Sequence, residues 1–469
     1  MSRFVCFAFS LITLGFTLGC PKPEPPVVEQ PRPAGPFKLL VLDDAPLAEA
    51  IEREWQAREE RSLELEQSTA AELLKSDKVD ADAVIYPPQL LGELIARQWI
   101  EPLPADLLDN EALDLADVFS SVRRMELDWG SETYGVPYGS QTLVLMVRPE
   151  VMEKLELEIP ETWEAYQNCV DRIAASEFCT GDAPQFAAPT LEPLAEDWRG
   201  KLFLARSAAY AKNPSNYAVL FGLGSVDPLI SQQAFVKGAT DLKKIAQSIP
   251  ADLQALLPAE VGQQFLAGKS ALAIGWLSPK SQANEDKLEF TPDFAPIPGA
   301  ASYWNQLIET WEERRGGRAE SVPLLTASGR IGSVSRSTHN AQDAALGLIL
   351  LSATDSATQV SPASGATTVY RNTNIGGITQ WVDPRLSSEG ASTYGEAVAL
   401  TLSSAEAINL NLPGADQYLK ALDAAVTAIL AGDAAPQEAL EKTAIEWNAI
   451  TDKLGRDAQK KANSASLGL

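Results

Sequence analysis

The sequence predicts an α/β fold of two or more domains. Its 469 residues exceed what a single hydrophobic core ordinarily organises. Residues 37–103 alternate short apolar strands with amphipathic helices, the rhythm of a mostly parallel sheet covered by helices. Residues 142–147 make a strand apolar on both faces, entered from a glycine- and proline-punctuated turn and left for a helix-rich region. That stretch reads either as a crossing between two lobes or as a hairpin inside one domain.

The first twenty residues read as an export signal. Arg3 gives a minimal positive start, residues 4–18 are an apolar run, and Gly19-Cys20 closes it. The run is too short to span a bilayer. Thr17-Leu18-Gly19-Cys20 resembles the bacterial lipobox, which implies a lipid on Cys20; an ordinary secretory leader containing a Cys is the alternative. Residues 21–36 hold seven prolines and no periodic apolar pattern. They read as a stiff tether, which suits a chain held to a membrane by lipid. No later segment is long and apolar enough to cross a membrane.

The charge balance is 38 Lys+Arg against 63 Asp+Glu, a net −25. Nucleic acid and anionic lipid surfaces both need a basic face, so the balance argues against either as a general partner. Once the leader and the lipidated Cys20 are set aside, Cys169 and Cys179 remain. Outside the cytoplasm such a pair reads as a disulfide, and in a reducing compartment as two free thiols. The single His, His339, lies far from both cysteines in sequence, so no metal site is expected and no cofactor motif appears.

Within the α/β part, residues 37–42 read as the first strand. Asp43-Asp44-Ala45-Pro46 forms a turn and helix start, after which Leu47, Ile51 and Trp55 recur on one helical face. Strands follow near 62–66 and 81–86, and helices near 69–75 and 89–98. Beyond Pro149 the expected helices cover 150–155, the stretch after Pro160, 202–220 with an interruption at Asn213-Pro214, 231–248 and 260–267. The last stops at Gly268, before a strand over 269–276. Residues 300–327 read as an insertion, 329–335 as a returning strand, and 340–351, 417–430 and 436–454 as helices.

Several pieces together resemble the family 1 extracellular solute-binding proteins of ABC importers, the maltose- and sugar-binding type. They are Tyr134-Gly135-Val136-Pro137-Tyr138, Pro160-Glu161-Thr162-Trp163-Glu164, and the run from Phe265 through Gly268-Lys269 to Gly275-Trp276. Arg148-Pro149-Glu150 departs from the family's usual Asn-Lys-Asp, and Gln98-Trp99 replaces its usual Gly. The resemblance extends over most of residues 37–460. It implies a two-lobe periplasmic-binding-protein fold of type II with hinge crossovers near 144–148, 330–335 and 361–367. The lobes would comprise 37–147 with about 335–360, and 148–334 with about 361–460. Residues 461–469 would be a flexible tail.

Tyr138 and Trp276 are the leading candidates for ligand contact, since each follows a strand, one in each lobe, and a flat ring packs on the C–H face of a sugar. Without the resemblance both read as interior aromatics. Tyr86 has the same type of position. Asp44 serves either a polar ligand or the cap of the helix that follows, and the two roles can coexist. Ser68, Thr69, Ser140 and Gln141 are small polar donors and acceptors beside strand ends. Arg371 follows the loop 361–368, where the family often places a ligand- or lobe-closing residue, although the family's Pro is absent here.

Catalysis finds little support: there is no nucleophile elbow or phosphate loop, and His339 reads as a solvated residue at a helix start. Asp43-Asp44 alone is weak ground for a glycosidase. The expected protein is therefore a lipid-anchored binding protein that takes a small polar solute, a sugar or polyol, and hands it to an ABC permease. Two alternatives are a surface lipoprotein for sensing or adhesion, and an extracytoplasmic glycoside hydrolase.

Overall fold

The computed structural model of the chain describes residues 35–213, 216–279 and 288–469; the leader, the tether and Cys20 lie outside them. Residues 35–469 pack as one body built on two main sheets. In the first, β1 (Phe37–Leu42) pairs in parallel with β2 (Leu63–Ser68) on one side and β3 (Ala83–Tyr86) on the other. Helix Ala45–Arg58 joins β1 to β2. Asp44 caps it by accepting the Leu47 N–H at 3.2 Å, and Trp55 stacks on Phe37 with ring centroids 5.0 Å apart. Thr69 and Glu72 form a reciprocal capping box at the next short helix. After β4 (Ile100–Glu101), a π-helical turn (Arg123–Leu127) leads into the ribbon β5 (Asp128–Trp129) and β6 (Glu132–Thr133), then β7 (Val136–Gly139).

The chain now changes sheets. The second sheet holds β8 (Val144–Val147), β9 (Ala188–Leu191), β10 (Ser270–Gly275) and β11 (Asp293–Pro296), in the order β11-β8-β10-β9. All four residues of β8 and β9 and all six of β10 are buried; β8 is apolar throughout, and β9 and β10 are mostly apolar, with Thr190 hydrogen-bonded to Tyr166. Inside this lobe Arg206 grips Glu192 through two bonds of 2.6 and 2.7 Å, both side chains being essentially inaccessible, and Tyr166 adds a third bond to Glu192 at 2.9 Å. The stretch expected as an insertion contains the hairpin β12 (Ser302–Asn305) and β13 (Thr310–Glu313). Arg314 anchors it by donating to the carbonyls of Ala209 and Lys212 at 2.8 Å. Then β14 (Arg330–Ser335) returns to the first sheet, antiparallel to β3, β4 and β7.

The chain thus passes between sheets at 140–143, at 297–329 and again beyond Ser361. Two of the expected hinge segments are shifted from this: residues 144–147 already belong to the second sheet, and Arg330–Ser335 to the first. The crossings touch one another. Thr368 N–H donates to Ser140 O at 2.6 Å, Gln141 Nε2 to Thr367 O at 3.2 Å, and Ser328 Oγ to Ala366 O at 3.1 Å. One apolar cluster runs through residues of both sheets, and a second fills one face of the first sheet. The lobes are therefore pressed together rather than packed as two insulated halves.

Three expectations are corrected. Residues 461–469 are not a loose tail: helix Arg456–Ser466 occupies most of them, and Ala465 O accepts the Gly130 N–H at 2.9 Å. Cys169 and Cys179 are free thiols; Cys169 is buried on helix Trp163–Ala174, with its Sγ 3.8 Å from Glu158 O. The helix expected over 202–220, with an interruption at Asn213-Pro214, ends at Ala211 just before that interruption and does not resume over 216–220.

Close approach of the crossings demands glycine at 139, where φ is +142° and an added Cβ would lie 2.4 Å from the Thr367 Cβ. Gly139→Ala is expected to lose about 2–4 kcal/mol of unfolding free energy, read from urea titration. A variant as stable as the parent would show that the crossings relax freely at this point.

Candidate binding site at the junction of the sheets

Ligands on open α/β sheets sit beyond the carboxyl ends of strands. In the first lobe those ends are Asp43-Asp44 after β1, Ser68 at the end of β2, and Pro87-Pro88-Gln89 after β3. Arg330 enters the same place from β14. Its Nε lies 3.1 Å from Asp44 Oδ2, and its guanidinium donates to the carbonyls of Asp43 and Gly329 at 2.8 and 2.7 Å. Ser364 Oγ also donates to Asp44 Oδ2. Asp44 therefore caps a helix, pairs with a buried cation and accepts from the third crossing. Asp43, one residue earlier, stays exposed and takes the Ala70 N–H.

The second lobe contributes Trp276, at the end of β10, and helix Arg199–Ala211. Trp276 is 5% exposed and meets Trp198 edge-on, with centroids 5.1 Å apart. Its indole N–H meets no hydrogen-bond partner among the described residues. Lys201, one turn into the helix, lies 4.8 Å from the Trp198 ring and donates to Ala327 O at 3.2 Å, which ties the lobe to the second crossing. Burial pulls the Lys201 ammonium down to about 8, against the opposing pull of Asp197, Asp416 and Asp423. A narrow crevice lies here between Lys201, Gln89, Thr326 and Leu419. Lys201 links the two groups, since it lines the crevice, lies over Trp198 and feels the Arg330 charge, whereas Trp198, Trp276, Asp44 and Arg330 stand around the crevice and do not line it.

The structure separates the other predicted residues from this junction. Tyr138 is fully buried in the first lobe, its hydroxyl donating to Leu348 O at 2.8 Å, so it does not face Trp276. Burial pushes that phenol well above its ordinary range. Tyr86 is likewise fully buried, hydrogen-bonded to Ser333 Oγ at 2.7 Å. Both behave as interior aromatics because their hydroxyls find partners inside the sheet. Arg371 is no loop cation: it is completely buried and donates to the carbonyls of Leu113, Asp114 and Ser352. Ser68 is half-buried and donates to Glu72 at 3.1 Å. Ser140 and Gln141 sit inside the crossings, with under 2% of their surface exposed.

Ser140 leads to a residue that sequence reasoning missed. Glu126, on the π-helical turn, is fully buried and accepts from Ser140 Oγ at 2.8 Å and from Thr326 N–H at 3.3 Å. It joins two crossings, and burial pushes its carboxyl up to about 8. Arg330, Lys201 and Trp198 were also missed. The signal for Arg330 was a lone cation at the start of a returning strand of apolar and small residues; the other two lay in or beside a stretch without periodicity.

A carboxyl whose folded pKa lies above its unfolded value favours the fold while protonated. That stability is complete below the unfolded value near 4.5 and is lost as pH rises through about 8. The parent's melting temperature is expected to fall between pH 5 and pH 9 by more than that of Glu126→Gln, measured by differential scanning calorimetry. Parallel profiles would remove Glu126 from the pH response.

A sequence profile described as bacterial extracellular solute-binding protein matches residues 62–305. Among solved structures, an ABC transporter solute-binding protein from Agrobacterium radiobacter in complex with ribitol aligns over 90% of this chain and 100% of its own, at 15% identity and a TM-score of 0.66. A solute-binding protein from Thermotoga lettingae bound with α-D-tagatose covers 89% and 100%, at 14% identity and a TM-score of 0.63. The maltose-binding periplasmic protein of Listeria monocytogenes, in complex with maltose, covers 89% and 98%, at 15% identity and a TM-score of 0.61. At these identities the likeness establishes the two-lobe fold.

Proposed function

The chain belongs to the family of bacterial extracellular solute-binding proteins, and from that premise we propose that it binds a neutral sugar or polyol at the junction of its two sheets and delivers it to an ABC permease. The observation that carries this is Trp276. It is a large aromatic at the end of a second-lobe strand, beside Trp198 and Lys201 and next to the inter-lobe crossings. Its unpaired indole N–H is a donor for a ligand oxygen, and the two indoles offer apolar faces to a ring or carbon chain. Asp44 and Arg330 would accept from and donate to hydroxyls once their mutual contact loosens. Structural neighbours that hold ribitol, tagatose and maltose support this class of ligand.

In this reading the lobes open and close about the crossings, and the permease recognises the closed form. The protein acts as a carrier and not as an enzyme. Lipid on Cys20 would hold it outside the cytoplasm, and the proline-bearing stretch 21–36 would give it reach. Among the described residues no helix is long and apolar enough to cross a membrane.

Two measurements test the proposal. In a thermal-shift screen of purified protein, a neutral sugar or polyol should raise the melting temperature in a saturable way, while amino acids and anions should not. Trp276→Ala should weaken that ligand by roughly tenfold or more at unchanged fold. A variant that binds as tightly as the parent would displace the ligand from this junction. For the anchor, Cys20→Ala is expected to release the protein from the membrane fraction into the soluble one; retention in the membrane would refute it.

A further inference from the structure

A cavity of about 410 Å³ lies between the lobes at a second place, sharing only Leu410 with the crevice beside Lys201. Its walls come from the π-helical turn and the ribbon β5–β6, from the stretch after helix Arg199–Ala211, from 405–412, and from helix Arg456–Ser466 with the residues after it. That volume is within the range of sites that hold small organic ligands, and far more than one bridging water fills.

The wall chemistry selects the occupant. Among the described lining residues there are two cations, Arg124 and Lys212, and two carboxylates, Asp128 and Glu406. Lys212 Nζ stands 3.3 Å from Glu406, Arg124 donates to Ala405 O, and Asp128 accepts from Thr133 Oγ1. The charges are thus balanced and engaged, which leaves neutral groups to meet a ligand. Asn409 and Asn411 both donate to Met125 O, at 3.2 and 3.3 Å. Asn411 is 1% exposed, and its Oδ1 meets no partner among the described residues. A buried amide oxygen in that state calls for a donor from a ligand or water. Tyr217, 56% exposed on the wall of the cavity, adds an aromatic face beside it.

We propose that this cavity is a second, separate site for a small uncharged polyhydroxylated molecule, with Asn411 Oδ1 accepting one of its hydroxyls and the Tyr217 ring covering its C–H face. The site stands apart from the Trp276 junction and draws on neither its residues nor its ligand. Because both lobes line it, its occupant bears on how they sit together.

The test uses purified protein with Trp276→Ala, so that the junction is weakened and the cavity intact. Maltose, trehalose and D-mannitol are titrated by equilibrium dialysis, with glucose 6-phosphate and glucosamine as charged comparators. At least one neutral probe should bind saturably, and adding Tyr217→Ala or Asn411→Leu should weaken it by roughly tenfold. Should Asn411→Leu fail to fold, the exposed Tyr217→Ala decides alone. The inference is overturned if no neutral probe binds in this background, if neither added change weakens it, or if the charged comparators bind as well. The junction is judged separately, by whether Trp276→Ala itself weakens the parent's ligand.

Discussion

The fold depends on three stretches of chain that pass between the sheets and must lie against one another. Ser140, Thr326 and Thr368 mark the three, and Glu126 and the Ser140 carbonyl gather them through hydrogen bonds of 2.6 to 3.3 Å. Nearly all the bonds in this knot are between neutral groups, and burial pushes its one carboxyl up to about 8. That suits a joint from which water is excluded, where an ionised group would carry a heavy desolvation cost. Gly139 permits the contact, since any side chain there would occupy the space of Thr367.

From this joint the positions of the residues at the proposed junction follow. The first crossing leads into β8, whose neighbour β10 ends at Trp276; the second ends at Arg330, whose cation meets Asp44 at the end of β1. The Arg206–Glu192 pair stiffens the second lobe just behind. Glu192 directly follows β9, and Arg206 lies on the helix that carries Lys201. A buried pair of this kind is costly to desolvate, and its good geometry with Tyr166 offsets that cost. Its effect is to fix the helix against the sheet, so that Trp198 and Lys201 have set positions.

The scaffold was legible in the sequence where periodicity was strong. The first strand matched residue for residue, as did helix Pro436–Leu454, because apolar spacing and a proline start leave little choice. The helix Ser388–Leu402 went unseen, since it is built of small and polar residues with a weak apolar stripe. The site was less legible. Asp44 and Trp276 do follow strands, as expected, but Tyr138 and Tyr86 turn inward. In a strand, alternate residues face opposite sides, and the sequence did not say that both sides are covered: helix Ala341–Ser352 fills the side of Tyr138, and the cluster shared with the second sheet takes Tyr86. Arg330 and Lys201 escaped because a buried cation is defined by partners distant in sequence.

Helix Arg199–Ala211 has a role that its residues do not advertise singly. Near its start Lys201 reaches the crevice beside Trp198; just past its end Lys212 stands on the wall of the larger cavity. Thirteen residues make a rod about 20 Å long at 1.5 Å per residue. Pinned near its middle by Arg206 and buried along most of its length, the rod cannot turn or slide without breaking that pair, so the spacing between Lys201 and Lys212 is set by the helix itself.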